Sequence, residues 1–220
     1  SSCKVYRLLV PQDGYIDMTK KVSEETSLVK GLSNYNLSGA KYGVYKEKKG
    51  KPVYTFSIDA NGNTAKWKTK PGTYYIKESK APKHFKLDPR WHTVTVKEKE
   101  TAHFTSGDKP LFTRGSLLLK KKAAQQNKYL PDAVYEIAYY DNDEGNTSGS
   151  PKRKWEVKTD ANGRADLAGN LISGAPFKDS KNVTVLPFGT YTYREKTAPE
   201  GYQLDETVYK VKQTDDVKYN

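Results

Sequence analysis

Two stretches of the chain nearly repeat each other: "GTYYIKESKAP" from Gly72 and "GTYTYREKTAP" from Gly189. They are one pair in a longer ordered set. "DGYIDMTKK" around Gly14 recurs as "RGSLLLKKK" around Gly115, "LSGAKYGVY" as "LPDAVYEIA", and "FSIDANGNTAKW" as "VKTDANGRADL". "HFKLD" and "GYQLD" then follow the GTY segments. Landmarks kept in the same order in both halves require one fold built twice. The first copy spans 14–110 and the second 111–220, with residues 1–13 a leader strand or the tail of a preceding module. At 220 residues in all, each copy is long enough to bury its own core.

The plan being repeated is a strand plan. Short alternating apolar and polar runs are separated by turn residues, and 17 tyrosines sit among many Val and Thr, residues that favour pleated strands over helices. The expectation is an all-β chain of two tandem Greek-key β-sandwich domains. "DANG" reads as a hairpin turn, its Asn-Gly supplying positive φ angles. Two insertions distinguish the copies: "SEETSLVKGLSNYN" lengthens the first connection of domain 1, and "AGNLISGAPFKDSKNVTV" lengthens the approach to the GTY strand of domain 2. Both read as loops, which tolerate insertion cheaply.

Several function classes fall away. The net charge of +12 invites a nucleic-acid reading, yet the basic residues are scattered among 26 acidic ones. The dense clusters "LLLKKK" and "SPKRKW" lie in no nucleic-acid-binding motif, so a solvated basic surface is the better reading. No run reaches the ~18 apolar residues of a membrane span, so no direct membrane insertion is expected. The lone Cys3 has no partner for an internal disulfide. His84, His92 and His103 lack metal spacing, and the register of "YDNDEGNTSGS" puts Gly145 where a calcium ligand belongs, so neither metal nor cofactor is expected. Trp67, Trp91 and Trp155 read as core or strand-face residues, and "LPFGT" reverses the Thr-Gly order of a sortase signal.

What the strand reading leaves unexplained is charge on apolar faces. Ile16, Met18 and Lys20 share one face of a strand, as do Leu117, Leu119 and Lys121, whereas Lys21, Lys120 and Lys122 fall on the other. Tyr74, Ile76 and Glu78 are likewise in phase, as are Tyr191, Tyr193 and Glu195. Each copy therefore aims one lysine and one glutamate inward. In "ETAHFTSGDKP", Ala102, Phe104, Ser106 and Asp108 share a face unless Gly107 hosts a bulge.

The ordered motifs, from the first-strand lysine through "TDANG" to "LPFGTYTYREKTAPEGY", resemble the Cna protein B-type domain of Gram-positive surface adhesins and sortase-assembled pilins. The likeness covers nearly the whole chain and is looser in domain 1, where "APKHF" replaces Ala-Pro-x-Gly-Tyr. It implies a prealbumin-like sandwich and a spontaneous isopeptide bond from a first-strand lysine to an Asn or Asp on the last strand, assisted by a buried Glu. Carried over, the lysines are Lys20 and Lys121, the proton carriers Glu78 and Glu195, and the domain 1 acceptor Asp108. In domain 2, Val217 and Tyr219 take the inward face of "DDVKYN", leaving Asn220 out of phase; alignment with domain 1 sets the acceptor a few residues further on, and Asn220 is the nearest assignable residue.

Such a bond needs a neutral amine, a polarised carbonyl and a proton carrier. Burial favours the neutral form of both Lys and Glu, so the expected direction is down for the lysine and up for the glutamate. The reaction is a single turnover of the protein on itself and is not enzymatic turnover. The leading expectation is an extracellular segment at the cell wall or pilus surface, a minor pilin or adhesin stalk. Its partners would be neighbouring modules or pilin subunits, with host extracellular matrix or a glycan as further candidates. The rival reading is a host-ligand or glycan-binding module using the domain 2 insertion. An enzyme is disfavoured, since no catalytic constellation is present.

Overall fold

A computed structural model describes residues 4, 6, 8–114 and 117–213. The chain divides into two units: one holds the chain through Glu24 together with Asn36–Lys109, the other Glu25–Tyr35 and the chain from Pro110.

In the first unit the period-2 pattern of the sequence becomes two facing sheets. Its strands are β1 (Gly14–Val22), β2 (Lys41–Tyr45), β3 (Tyr54–Ser57), β4 (Trp67–Thr69), β5 (Gly72–Lys80), β6 (His92–Val96) and β7 (Thr101–Asp108). One sheet has the order β4-β1-β7 and the other β3-β2-β5-β6. β1 runs antiparallel to β4 but parallel to β7, so the first and last strands of the unit are neighbours. Ile16, Met18, Tyr42, Val44, Tyr74 and Ile76 fill the space between the sheets, with Phe104 of β7 packed against them.

The second unit repeats the plan with β8 (Thr113–Arg114), β9 (Leu117–Lys120), β10 (Val134–Tyr140), β11 (Arg153–Lys158), β12 (Arg164–Asp166), β13 (Leu171–Ser173), β14 (Val185–Leu186), β15 (Gly189–Thr197) and β16 (Val208–Gln213). The order β13-β11-β10-β15-β16 mirrors β3-β2-β5-β6 with one strand added, and β12-β9 mirrors β4-β1. Among the described residues no strand lies beside β9 as β7 lies beside β1.

The repeated "DANG" turn does more than reverse the chain. Asp59 Oδ1 accepts the amides of Asn61 and Asn63 at 2.9 Å each, and Asp160 Oδ1 accepts those of Asn162 and Arg164 at 2.9 and 3.1 Å. The glycine alone takes a positive φ, 82° at Gly62 and 70° at Gly163, so the Asn-Gly reading is corrected: aspartate organises the turn and Asn61 and Asn162 stay right-handed. The glycine carbonyl accepts the backbone amide of Lys20 or Lys121 at 2.7 Å. A Cβ on Gly62 would fall 2.6 Å from the Lys20 carbonyl oxygen, and one on Gly163 2.4 Å from that of Lys121. The turn thus buttresses each inward lysine, and only glycine fits there.

Neither insertion is a bare loop. Phe177 of the second one is buried against Tyr139 and Trp155. The first forms the short helix α1 (Thr26–Val29), and Glu25–Tyr35 as a whole belongs to the second unit. Leu28, Val29, Leu32 and Tyr35 are buried. The Tyr35 hydroxyl donates to the Leu111 carbonyl at 2.7 Å and accepts the Phe188 amide at 2.9 Å, and its ring stacks on Phe112. Tyr35→Phe removes both bonds, at a net cost of about 1 kcal/mol or more. Amide hydrogen exchange should find the Phe188 N–H less protected in the variant, with the amides of β15 little changed.

A buried lysine between two carboxyls

β1 carries Lys20 inward at its fourth alternate position, after Gly14, Ile16 and Met18, so the lysine is committed to the core by the residues that build it. Lys20, Glu78 and Asp108 are each only 2% exposed. Nζ of Lys20 lies 2.9 Å from Glu78 Oε1 and 2.7 Å from Asp108 Oδ2, and donates to the Tyr42 hydroxyl at 2.5 Å. Neither Asp108 oxygen has a hydrogen-bond partner, so the contact with Lys20 is an ion pair outside hydrogen-bond geometry. Register explains the meeting. Lys20 pairs with Ser106 and Val22 with Asp108 without a bulge, so Gly107 does not shift the phase.

Glu78 is aimed by a bulge. Tyr42 pairs with Glu78 but Lys41 pairs with Lys80, leaving one extra residue on β5. Its Oε2 accepts the Asp88 amide at 2.8 Å. The Asp88 carboxylate is in turn clasped by Arg90, through Nε at 2.9 Å and Nη2 at 3.1 Å, and by His92 Nε2 at 2.9 Å. The Arg90 side chain is the main reason that carboxylate stays well below its ordinary range. The histidine thus has a structural partner.

Burial pushes the Glu78 carboxyl up to about 7, the neighbouring Asp108 adding to the rise. It pushes the Tyr42 hydroxyl up to about 12. For Lys20 the expected direction is reversed. Burial pulls its pKa down, but Asp108, Tyr42 and Glu78 together outweigh that and hold it above its ordinary value. The cluster therefore rests as an ammonium beside a carboxyl that takes up a proton near neutral pH. Moving one proton from nitrogen to Glu78 would leave an amine in contact with the Asp108 carboxyl, the starting geometry for amide formation.

The second unit holds the same pair more openly. Glu195, 3% exposed, lies 3.1 Å through Oε1 from Lys121 Nζ, and its Oε2 accepts the Asp205 amide at 2.7 Å. The bulge recurs, with Tyr135 opposite Glu195 and Val134 opposite Thr197. Lys121, however, keeps 17% of its side chain exposed. It lines a groove of about 1180 Å³ together with Leu119, Tyr135, Leu204, Tyr209 and Val211. Asn220, the expected acceptor, lies outside the described residues.

Sequence reasoning missed four members of these sites, and the repeat held the signal for them. Tyr42 and Tyr135 occupy one position in "LSGAKYGVY" and "LPDAVYEIA", and Asp88 and Asp205 end "HFKLD" and "GYQLD". An aromatic on an inward face reads as core, and a backbone donor leaves no mark on residue type.

Two sandwiches of one plan, each with a buried glutamate gripping a first-strand lysine, define a tandem prealbumin-like protein of the Cna B type. The particular family is that described as SpaA, prealbumin-like fold domain, which matches residues 19–110 and 115–220; the chain belongs to it as two consecutive copies. Among solved structures the chain is similar to the Bacillus anthracis TIE protein, at 24% identity over 92% of this chain with a TM-score of 0.62. It spans only 32% of that protein. It is also similar to a C-terminal fragment of the pilus adhesin SpaC from Lactobacillus rhamnosus GG, at 14% identity over 92% of this chain and 82% of the fragment with a TM-score of 0.51. At these identities the likeness is one of fold. No match was found among curated protein sequences.

Lys20→Met tests whether the lysine neutralises the site. It leaves two buried carboxyls without their cation, a loss of about 3 to 5 kcal/mol. Lys121→Met should cost less, because that side chain already reaches the groove. Chemical denaturation of each variant beside the parent chain checks both the sign and the order.

Proposed function

We propose that this chain is a structural segment of a Gram-positive surface protein, a minor pilin or adhesin stalk, whose first unit closes on itself through an amide between Lys20 and Asp108. The observation that carries this reading is the fully buried Lys20 Nζ, 2.7 Å from Asp108 and 2.9 Å from Glu78. Membership of the SpaA family and the pilus-adhesin fragment among the similar structures support the surface setting.

In the proposed step Lys20 passes a proton to Glu78 and the freed amine attacks Cγ of Asp108. Glu78 returns protons to the departing oxygen, which leaves as water. Overall, ammonium and carboxylate become amide and water, with nothing oxidised or reduced. The donors and the acid are fixed before reaction, so little reorganisation is needed. By analogy with a disulfide closing a loop of this length, the bond would stabilise the unit by about 4 to 5 kcal/mol. It also joins first strand to last, so tension through the termini bypasses the strands between. In the second unit Lys121 and Glu195 are the corresponding pair, with Asn220 proposed as acceptor and ammonia as leaving group.

Intact mass tests this directly. The parent chain should be lighter than its sequence by one water, and Glu78→Ala should restore the full mass; clean, folded parent protein at full mass would sink the reading. A further loss of ammonia, abolished by Glu195→Ala, is the expected sign of the second bond. The rate should also depend on pH. Glu78 titrates above the ordinary carboxylate value, so it keeps its proton in mildly acidic solution and loses it as pH rises through about 7. Because Glu78 must be free to accept the proton of Lys20, bond formation in freshly synthesised protein should quicken as pH rises through that range, followed by mass at a series of pH values.

A further inference from the structure

The Lys20 nitrogen has a third oxygen neighbour that the proton-transfer step leaves unused. The Tyr42 hydroxyl accepts from Nζ at 2.5 Å, closer than either carboxyl, and lies 2.6 Å from Ser106 Oγ. Tyr42 is wholly buried and Ser106 nearly so. Ser106 sits on β7 two residues before Asp108 and directly opposite Lys20 in the β1–β7 ladder. A continuous bridge thus runs from the amine, through a tyrosine anchored on the opposing sheet, to the strand that carries the carboxyl to be attacked.

Resting on the amide-forming reading above, we propose that Tyr42 is a positioning residue for that step: its hydroxyl, tied to Ser106, holds the Lys20 amine against Asp108 while Glu78 takes the proton.

The surroundings of the nitrogen support this. An ammonium has three N–H groups, and here three oxygens surround it, those of Tyr42, Glu78 and Asp108. Once one proton has gone to Glu78, the amine is no longer held by charge. A neutral hydroxyl is then the contact that survives. Because the phenol is held far above neutrality, it does not compete with Glu78 for the proton. The centroid of the same ring lies 4.9 Å from Nζ. The second unit keeps the arrangement's anchor, for Tyr135 stands opposite Glu195 as Tyr42 stands opposite Glu78. An ordinary core position would not need a hydroxyl there, since Phe fills the same volume without a polar atom to satisfy.

The test uses the full chain made by cell-free synthesis, quenched in acid at intervals, with intact mass giving the fraction that has lost water. Rates are taken on the fraction that resists protease, so a failure to fold appears as lost yield and leaves the rate untouched. Tyr42→Phe should slow the reaction by about ten- to a hundredfold, and Ser106→Ala should slow it less. In both variants the pH at which the rate rises should stay near that of the parent, because Glu78 still sets it. A Tyr42→Phe rate equal to the parent's overturns the proposal, as does a protease-resistant fraction too small to measure, which would make the hydroxyl a folding requirement. A rise shifted well below the parent's pH would also overturn it, reporting a loosened and hydrated Glu78. Parent protein that never loses water defeats the amide reading itself, and this one with it.

Discussion

Three ionisable groups share a space from which water is shut out, and the architecture of the first unit can be read as the means of making that tolerable. A lone ammonium in such a place would cost far more than a small sandwich can spare. Lys20 is held there by two carboxyls and a hydroxyl, and each of those is held by something else. Glu78 leans on the Asp88 amide, Asp88 on Arg90 and His92, and Tyr42 on Ser106. The bulge on β5, the parallel pairing of β1 with β7 and the glycine turn against the lysine backbone all serve to bring these groups to one point. None of them is explained by core packing alone.

The two units differ in how far this is carried. Both have the lysine, the glutamate, the opposing tyrosine, the bulge and the aspartate amide. Among the described residues, only the first shows a second carboxyl in contact with the lysine, that of Asp108, and a strand lying along the one that carries it. Lys121 lines a groove and keeps 17% of its side chain exposed, whereas the side chain of Lys20 is fully buried. A lysine that retains solvent pays less for its charge and needs fewer partners.

Much of this was legible in the residues. The inward phase of Lys20, Glu78 and Asp108 follows from strict alternation, which is hard to escape in a strand whose other face is wet. The duplication gave the sheet plan, since matched landmarks must become matched strands. What was hidden is equally specific. The turn's reliance on Asp59 and Asp160 was masked by the familiar Asn-Gly pair. The allegiance of Glu25–Tyr35 to the second unit rests on long-range burial of Leu28, Leu32 and Tyr35, which a short helix without periodicity does not announce. The direction of the Lys20 shift depended on how many oxygens would converge on one nitrogen, a matter of three-dimensional proximity. Tyr42 was concealed by its own ordinariness as an aromatic in a strand.

The parallel pairing of β1 and β7 bears on length. Chain enters the first unit at the start of β1 and leaves at the end of β7, the opposite end of a ladder whose strands point the same way. The stretch between Lys20 and Asp108, drawn out straight, would reach about 300 Å. With the proposed amide at the exit end of that ladder, none of this reserve can be released by unfolding. Such a unit would have one contour length, folded or not, and a fibre made of such units would keep its reach under load instead of paying out slack.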